Sequence, residues 1–186
     1  MPFDPKIHHR RSIRLRGYDY SSQGAYFLTI CTHERRLTLD DNNVREIVSS
    51  VWHDVPKRFP TIVLDEFVVM PNHVHGILFL AGVEHGPCLS DVIGAFKSIS
   101  AIACNRARSR AGSPFWQRDY YERVIRDERE LNAAREYVWD NPRKWDEDVN
   151  NPANPSVRPS VSRKRGVVEA GQAHAPTPDD GRRSNT

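Results

Sequence analysis

The chain has 186 residues, 38% of them hydrophobic, with 27 Lys and Arg against 24 Asp and Glu for a formal net charge of +3. That length holds one domain and leaves no room for a second catalytic one. There is no run of about 18 apolar residues, and the opening Met1-Pro2-Phe3-Asp4-Pro5 lacks the apolar core of a signal peptide, so a cytoplasmic protein without membrane contact is expected. Cys31, Cys88 and Cys104 form neither an even set nor a Cys-x-x-Cys pair, which argues against a disulfide framework and a cysteine zinc site.

Basic residues are clustered in Lys6 to Arg11, in Arg14 to Arg16, in Arg106 to Arg110 and in Arg163-Lys164-Arg165. Clustered charge fits a polyanionic partner, although such runs also occur as plain solvated surface.

Gly24 precedes Ala25 to Thr32, whose aromatic and β-branched residues predict a largely buried first strand. Asn43 is the expected cap of a helix whose apolar face runs through Ile47, Val48, Val51 and Trp52, with Pro56 and Pro60 ending it. Thr61 to Met70 and His73 to Leu80 read as neighbouring strands joined by a sharp turn at Pro71-Asn72. From Ser90, Ile93, Phe96, Ile99 and Ala103 recur at helical spacing up to the arginine-rich Asn105 to Arg110. Phe115-Trp116 and Tyr120 to Ile125 supply a further strand or strand pair. Asp127 and Glu130 resemble a capping box, and Leu131, Ala134 and Val138 mark the buried stripe of a third helix. Pro142 disfavours helical geometry at Asn141, where that helix should stop. The composition from about Asn150 onward is too polar to bury a core, so residues 150–186 are expected to be a disordered tail behind a domain spanning 1–149, with 1–17 as a basic arm. Strands alternating with helices predict an α/β or α+β sandwich.

Successive strand side chains point to opposite faces, so His73 and His75 share one face while Val74 points away. Two imidazoles on a rigid strand can hold a divalent metal acting as Lewis acid on a phosphoryl oxygen, although a bare His-x-His also arises as hydrogen-bonded core histidines. A histidine-triad nucleotide hydrolase would continue the alternation, but position 77 is Ile. Tyr137 and Asn141, four apart, stack on one helix face. A phenolic oxygen there can attack a DNA phosphate to give a phosphotyrosine, and the Asn141 amide oxygen can complete the metal site. The plainer alternative is an ordinary packed tyrosine followed by an asparagine that ends the helix. Tyr120 and Tyr121 are rival nucleophiles without a polar residue four positions on.

Taken together, the segments Gly24 to Thr32, Phe67 to Ile77, Ile93 to Ser98, Phe115 to Arg118 and Tyr137 to Pro142 resemble the REP-associated tyrosine transposases. These are relatives of the insertion-sequence transposases with one catalytic tyrosine and a His-hydrophobic-His (HUH) pair. The resemblance implies an α+β fold in which an antiparallel sheet of about five strands carries packed helices in a ferredoxin-like or RRM-like arrangement. It also implies His73, His75 and Asn141 as ligands of Mg²⁺ or Mn²⁺, and Tyr137 as nucleophile. The implied function is cleavage and rejoining of single-stranded DNA beside hairpins, with the protein as monomer or homodimer. Lys97 and Arg118, within the matching segments, join Arg10, Arg11, Arg14, Arg16, Arg106, Arg108 and Arg110 as candidate DNA contacts. Many relatives have histidine where Arg123 stands, so no role is carried to it. A catalytically idle hairpin-binding protein of the same fold is the competing expectation; a metal hydrolase unrelated to nucleic acid leaves Tyr137 and the arginine clusters unexplained.

Overall fold

The computed structural model describes residues 23–154 except 84, 85 and 149. The basic arm with Arg10, Arg11, Arg14 and Arg16, the run at 163–165 and the tail from 155 lie outside the described residues.

The elements follow one another as β1 (Gly24–Cys31), α1 (Asn42–His53), a short α2 (Val55–Arg58), β2 (Ile62–Met70), β3 (His73–Leu80), α3 (Leu89–Ala107), β4 (Tyr121–Ile125) and α4 (Glu128–Asp140). A 3-10 segment, Asn141–Glu147, continues α4. The sheet has the order β2-β3-β1-β4 with every neighbouring pair antiparallel. Read from the other edge this is 4-1-3-2 on a β-α-β-β-α-β chain, the ferredoxin-like arrangement. Four strands rather than about five are found among the described residues. Phe115-Trp116 makes only one isolated bridge, Thr32 to Trp116, and the Thr61 to Met70 stretch forms one strand from Ile62, interrupted by a register shift between Leu64 and Phe67.

Helices cover both faces of the sheet. On one face Tyr26, Leu28 and Ile30 of β1 and Val74, Leu78 and Leu80 of β3 pack against α1 and α3 through Val44, Val48, Trp52, Val92, Ile93 and Phe96. Trp52 stacks on Phe67 at 4.7 Å between ring centroids and meets Phe96 edge-on. Its indole lies flat over β3 where the strand has no side chain. A Cβ on Gly76 would come within 2.7 Å of that ring. On the other face Phe27, Ile77 and Ile125 pack against Val138 of α4, with Leu131, Ala134 and Tyr137 around it. Arg135 ties α4 to β2 by donating to both carboxylate oxygens of Asp65, which lies within the register shift of that strand.

Local expectations shift in three places. Asp41, not Asn43, caps α1, accepting from the Asn43 and Val44 backbone N–H groups. The inward stripe of α3 runs Leu89, Val92, Ile93, Phe96, Ser100 and Cys104, which leaves Ile99 exposed; Ser100 is drawn inward because it accepts from the buried Trp116 indole. Half the expected capping box forms at α4: Asp127 accepts from the Glu130 N–H, while the Glu130 side chain accepts from Arg126 and Arg123. The three cysteines are free. No helix among the described residues is long and apolar enough to cross a membrane.

Candidate metal and nucleophile site

The site begins at the β2–β3 hairpin. Antiparallel register sets His73 opposite Cys31 and Met70, and His75 opposite Thr29 and Val68. Both rings project toward α4, both are buried, and their Nε2 atoms lie 2.9 Å apart. Their outer nitrogens are held as well: His73 Nδ1 meets Asn72 Oδ1 at 2.9 Å and His75 Nδ1 meets Thr29 Oγ1 at 2.8 Å. The Asn72 amide nitrogen already donates to the carbonyls of Arg35 and Asn150. Its oxygen therefore can only accept, which makes His73 Nδ1 the donor and leaves His73 Nε2 with its lone pair.

Burial keeps both imidazoles neutral. His73 is pushed well below the ordinary histidine value by desolvation, then by His75 and by the nearby Arg35 charge. Desolvation takes His75 down to about 3, against a weaker opposing backbone hydrogen bond at Leu28. Neutral imidazole is the form that binds metals. The 3.6 Å approach of His73 Nε2 to Asp148 Oδ2 is consequently no ion pair at neutral pH, despite its length.

From the other side α4 delivers Tyr137. Its ring meets His75 edge-on at 5.2 Å and Phe27 at 5.7 Å, with Phe27 stacked on His75. Burial pushes the phenol pKa up to about 12, with Asp148 adding to the rise and a hydrogen bond from the Asn141 side chain, one turn on, opposing it. The Asn141 Oδ1 is buried and without a hydrogen-bond partner among the described residues. The α-helix ends at Asp140 with Asn141 as its C-cap, as expected, but Asn141 keeps helical angles before Pro142, and a 3-10 continuation carries the chain round to Asp148. Ligand atoms of His73, His75 and Asp148 lie within 4.8 Å of one another.

Two neutral imidazole nitrogens, a carboxylate and an orphaned amide oxygen make a mixed nitrogen and oxygen donor set. That set fits a divalent first-row ion better than the all-oxygen shell that magnesium prefers. A buried acceptor with no donor is also costly unless something positive satisfies it.

Asp148, Asn72, Thr29 and Arg35 were not singled out in the sequence. Residues 150–154, assigned by composition to the tail, pack against this site. Asn150, Asn151 and Asn154 are buried, the Asn150 N–H donates to Asp148 Oδ1, and the Asn151 and Asn154 side chains donate to the carbonyls of Trp145 and Asp148. Three asparagines at 150, 151 and 154 closely following Asp148 are the signal that was there, since such side chains close turns on their own backbone.

The other candidates are placed elsewhere. Tyr121 lies opposite Thr29 on the site face and packs with Tyr137 in the cluster beneath α4, whereas Tyr120 packs toward the α1 and α3 side under the Lys97 ammonium. Lys97 donates to the Arg118 carbonyl and so fixes a loop. Arg123 pairs with Glu130. Arg106 and Arg110 at the end of α3 are exposed and Arg108 is half-buried, on the helical layer across the sheet from α4. Arg118 is exposed in the loop before β4.

Comparison with known proteins agrees with this geometry. Residues 20–141 match the family described as IS200-like transposases. An uncharacterized protein of Haemophilus influenzae is 34% identical over 171 residues, covering 78% of this chain and 95% of that protein. Among solved structures, the REP-associated tyrosine transposase bound to a REP hairpin superposes with a TM-score of 0.57 at 22% identity, covering 72% of this chain and 74% of that one. A transposase candidate from Deinococcus radiodurans gives a TM-score of 0.47 at 22% identity, with coverage of 68% and 95%. A profile match across most of the described chain, joined to this ferredoxin-like sheet, shows that the protein belongs to the IS200-like transposase family.

Proposed function

We propose that this transposase cuts and rejoins single-stranded DNA beside a hairpin, with Tyr137 as nucleophile and a metal held by His73, His75 and Asp148, the Asn141 amide oxygen being a further donor. The observation that carries the reading is the buried meeting of unprotonated imidazole nitrogen, carboxylate and orphaned amide oxygen beside one tyrosine. The solved relative bound to a REP hairpin supports a DNA hairpin as partner. Mg²⁺ and Mn²⁺ are the candidate ions, with imidazole donors favouring Mn²⁺. Once bound, such an ion polarises a phosphoryl oxygen and offsets charge in the transition state.

The remaining chemistry belongs to the chain. The Tyr137 oxygen attacks phosphorus as its proton passes to solvent, and the bond from phosphorus to the 3′-oxygen of the upstream nucleotide breaks as that oxygen takes a proton back from solvent. That oxygen leaves as a protonated 3′-hydroxyl, while the downstream strand stays joined to Tyr137 through its 5′-phosphate. Attack by a 3′-hydroxyl reverses the step and releases the tyrosine. The Asn141 amide donates to the phenol oxygen and stabilises the negative charge it acquires.

The test is a denaturation-resistant adduct between the protein and a single-stranded hairpin oligonucleotide labelled 3′ of the cut, with Mn²⁺ present. Adduct formation that is lost in Tyr137→Phe supports the reading. Binding of the hairpin with neither cleavage nor adduct would replace it by the catalytically idle hairpin-binding protein.

A further inference from the structure

Asn72 occupies the second position of the two-residue link between β2 and β3, yet its side chain is fully buried. A polar turn residue ordinarily faces water, so its burial calls for a reason, and its three hydrogen bonds provide one. The amide nitrogen donates to the Arg35 carbonyl at 3.2 Å and to the Asn150 carbonyl at 2.6 Å, and the amide oxygen lies 2.9 Å from His73 Nδ1. Carbonyl oxygens only accept, so the amide cannot be turned the other way round, and the ring nitrogen must donate.

The neighbourhood is shaped around this side chain. The Thr32 N–H donates to the Asn72 carbonyl, the Thr32 hydroxyl lies between the Arg36 carbonyl at 2.7 Å and the Asn72 carbonyl at 3.0 Å, and the Leu39 N–H donates to the Pro71 carbonyl, so the hairpin tip is clasped to the chain leaving β1. Glu34 and Arg35 both adopt left-handed angles, with φ of 55° and 53°. Two consecutive non-glycine residues in that region cost free energy and persist only where the surroundings enforce them; here the turn brings the Arg35 carbonyl to Asn72. On the third side, the Asn150 carbonyl belongs to the turn closed by Asp148 Oδ1, which accepts from the Asn150 N–H.

We infer that Asn72 is the positioning residue of this site, holding His73 in the tautomer whose Nε2 lone pair faces the cluster and pinning the 148–154 segment that brings Asp148 to it. The inference rests on the metal reading above only for what the tautomer is used for. Asn72 touches neither substrate nor metal; it acts through His73 and Asp148, as outer partners of ligating histidines do.

The experiment uses the full chain, first with chelator and then with Mn²⁺ alone. Nitrogen-15 NMR at neutral pH, with His73 assigned by comparison with His73→Asn, reports which ring nitrogen carries hydrogen. The native protein is expected to show Nδ1–H at His73. Asn72→Leu removes every bond, and its His73 is expected to lose that tautomer while Mn²⁺ affinity, read from the electron paramagnetic resonance signal of the free ion, falls about 10- to 100-fold. Asn72→Asp keeps an acceptor for His73 and loses both donors. It should retain the tautomer while amide hydrogen exchange quickens at Asn150, Asn151 and Asn154, and it serves as the test if the leucine variant does not fold. His73 found as Nε2–H in the native protein overturns the inference. So does a folded Asn72→Leu with native tautomer and native Mn²⁺ affinity, or an Asn72→Asp with native exchange. Native protein that shows the expected tautomer but takes up no Mn²⁺ sinks the metal reading and leaves the tautomer assignment in place.

Discussion

The two faces of β3 are equally dry and chemically opposite. Val74 and Leu78 on one side and His73 and His75 on the other are all within 2% of complete burial. On the α1 and α3 side, burial asks only for shape, and the strand answers with Gly76 where the Trp52 ring needs room. On the α4 side, every ring nitrogen of the histidine pair has a partner. Burial alone therefore does not mark the functional face; the directed satisfaction of its polar atoms does. Substitutions on the first face should cost stability and spare the chemistry, and substitutions on the second should do the reverse.

The largest effect expected is on the second face. Tyr137→Phe should abolish the covalent adduct while thermal stability and hairpin affinity stay near native, because only the attacking oxygen is lost. His73→Ala should also stop cleavage with little loss of DNA affinity, since contacts to the DNA backbone supply most binding. Tyr121→Phe is the sharper control, as Tyr121 shares the face and the cluster with Tyr137. Retained adduct in that variant keeps the assignment, whereas its disappearance there and persistence in Tyr137→Phe would move the nucleophile to β4.

On the first face, Trp52→Ala should cost about 3–5 kcal/mol by emptying the centre of the core. Gly76→Ala should cost about 1–3 kcal/mol, because the added methyl meets Trp52 and the ring has to shift. Both follow from denaturant melts. If Gly76→Ala lost adduct formation at a temperature where it is fully folded, the two faces would be coupled and the comparison would fail.

Acid separates the faces next. Both histidines have folded pKa values below the unfolded value near 6.5, with His75 at about 3. Groups held neutral in this way contribute full stability above the unfolded pKa and lose it as pH falls toward the folded one. In chelator, the melting temperature should therefore drop between about pH 6.5 and pH 4.5, above the range where most carboxylates protonate. A His73→Asn, His75→Gln protein should drop less across that window. Equal slopes for the two proteins would mean that the imidazoles are not held neutral by the fold.

Much of this was legible because it is periodic. Alternation placed His73 and His75 on one face, and the four-residue spacing placed Asn141 against Tyr137. The ferredoxin-like order came only with the family resemblance. Asp148 and Asn72 were not legible, since their roles depend on partners 75 and 78 positions away in the chain, reached by the 3-10 continuation past Pro142. The 150–154 segment was misassigned for a related reason: asparagines that satisfy backbone carbonyls have the same composition as asparagines left in water. Cutting the chain after Asn154 should preserve adduct formation, and cutting after Glu147 should remove it with Asp148. A drop in adduct yield for the longer version would extend the working domain into the residues beyond.

The smallest effect tests whether the helical layer behind the core face also meets DNA. Arg106 and Arg110 are exposed at the end of α3, and an exposed arginine that contacts a phosphate displaces roughly one counterion. Each alanine substitution should then flatten the plot of log affinity against log salt by about 0.7 to 0.9, the lower value for single strand and the higher for duplex. Lys97 is the internal comparison, because its ammonium is spent on the Arg118 carbonyl and lies over the Tyr120 ring. Lys97→Met should leave the salt slope alone and lower the melting temperature instead. A change of slope in Lys97→Met with none in Arg106→Ala or Arg110→Ala would place the DNA at the Lys97 loop and release the α3 arginines to ordinary solvated surface.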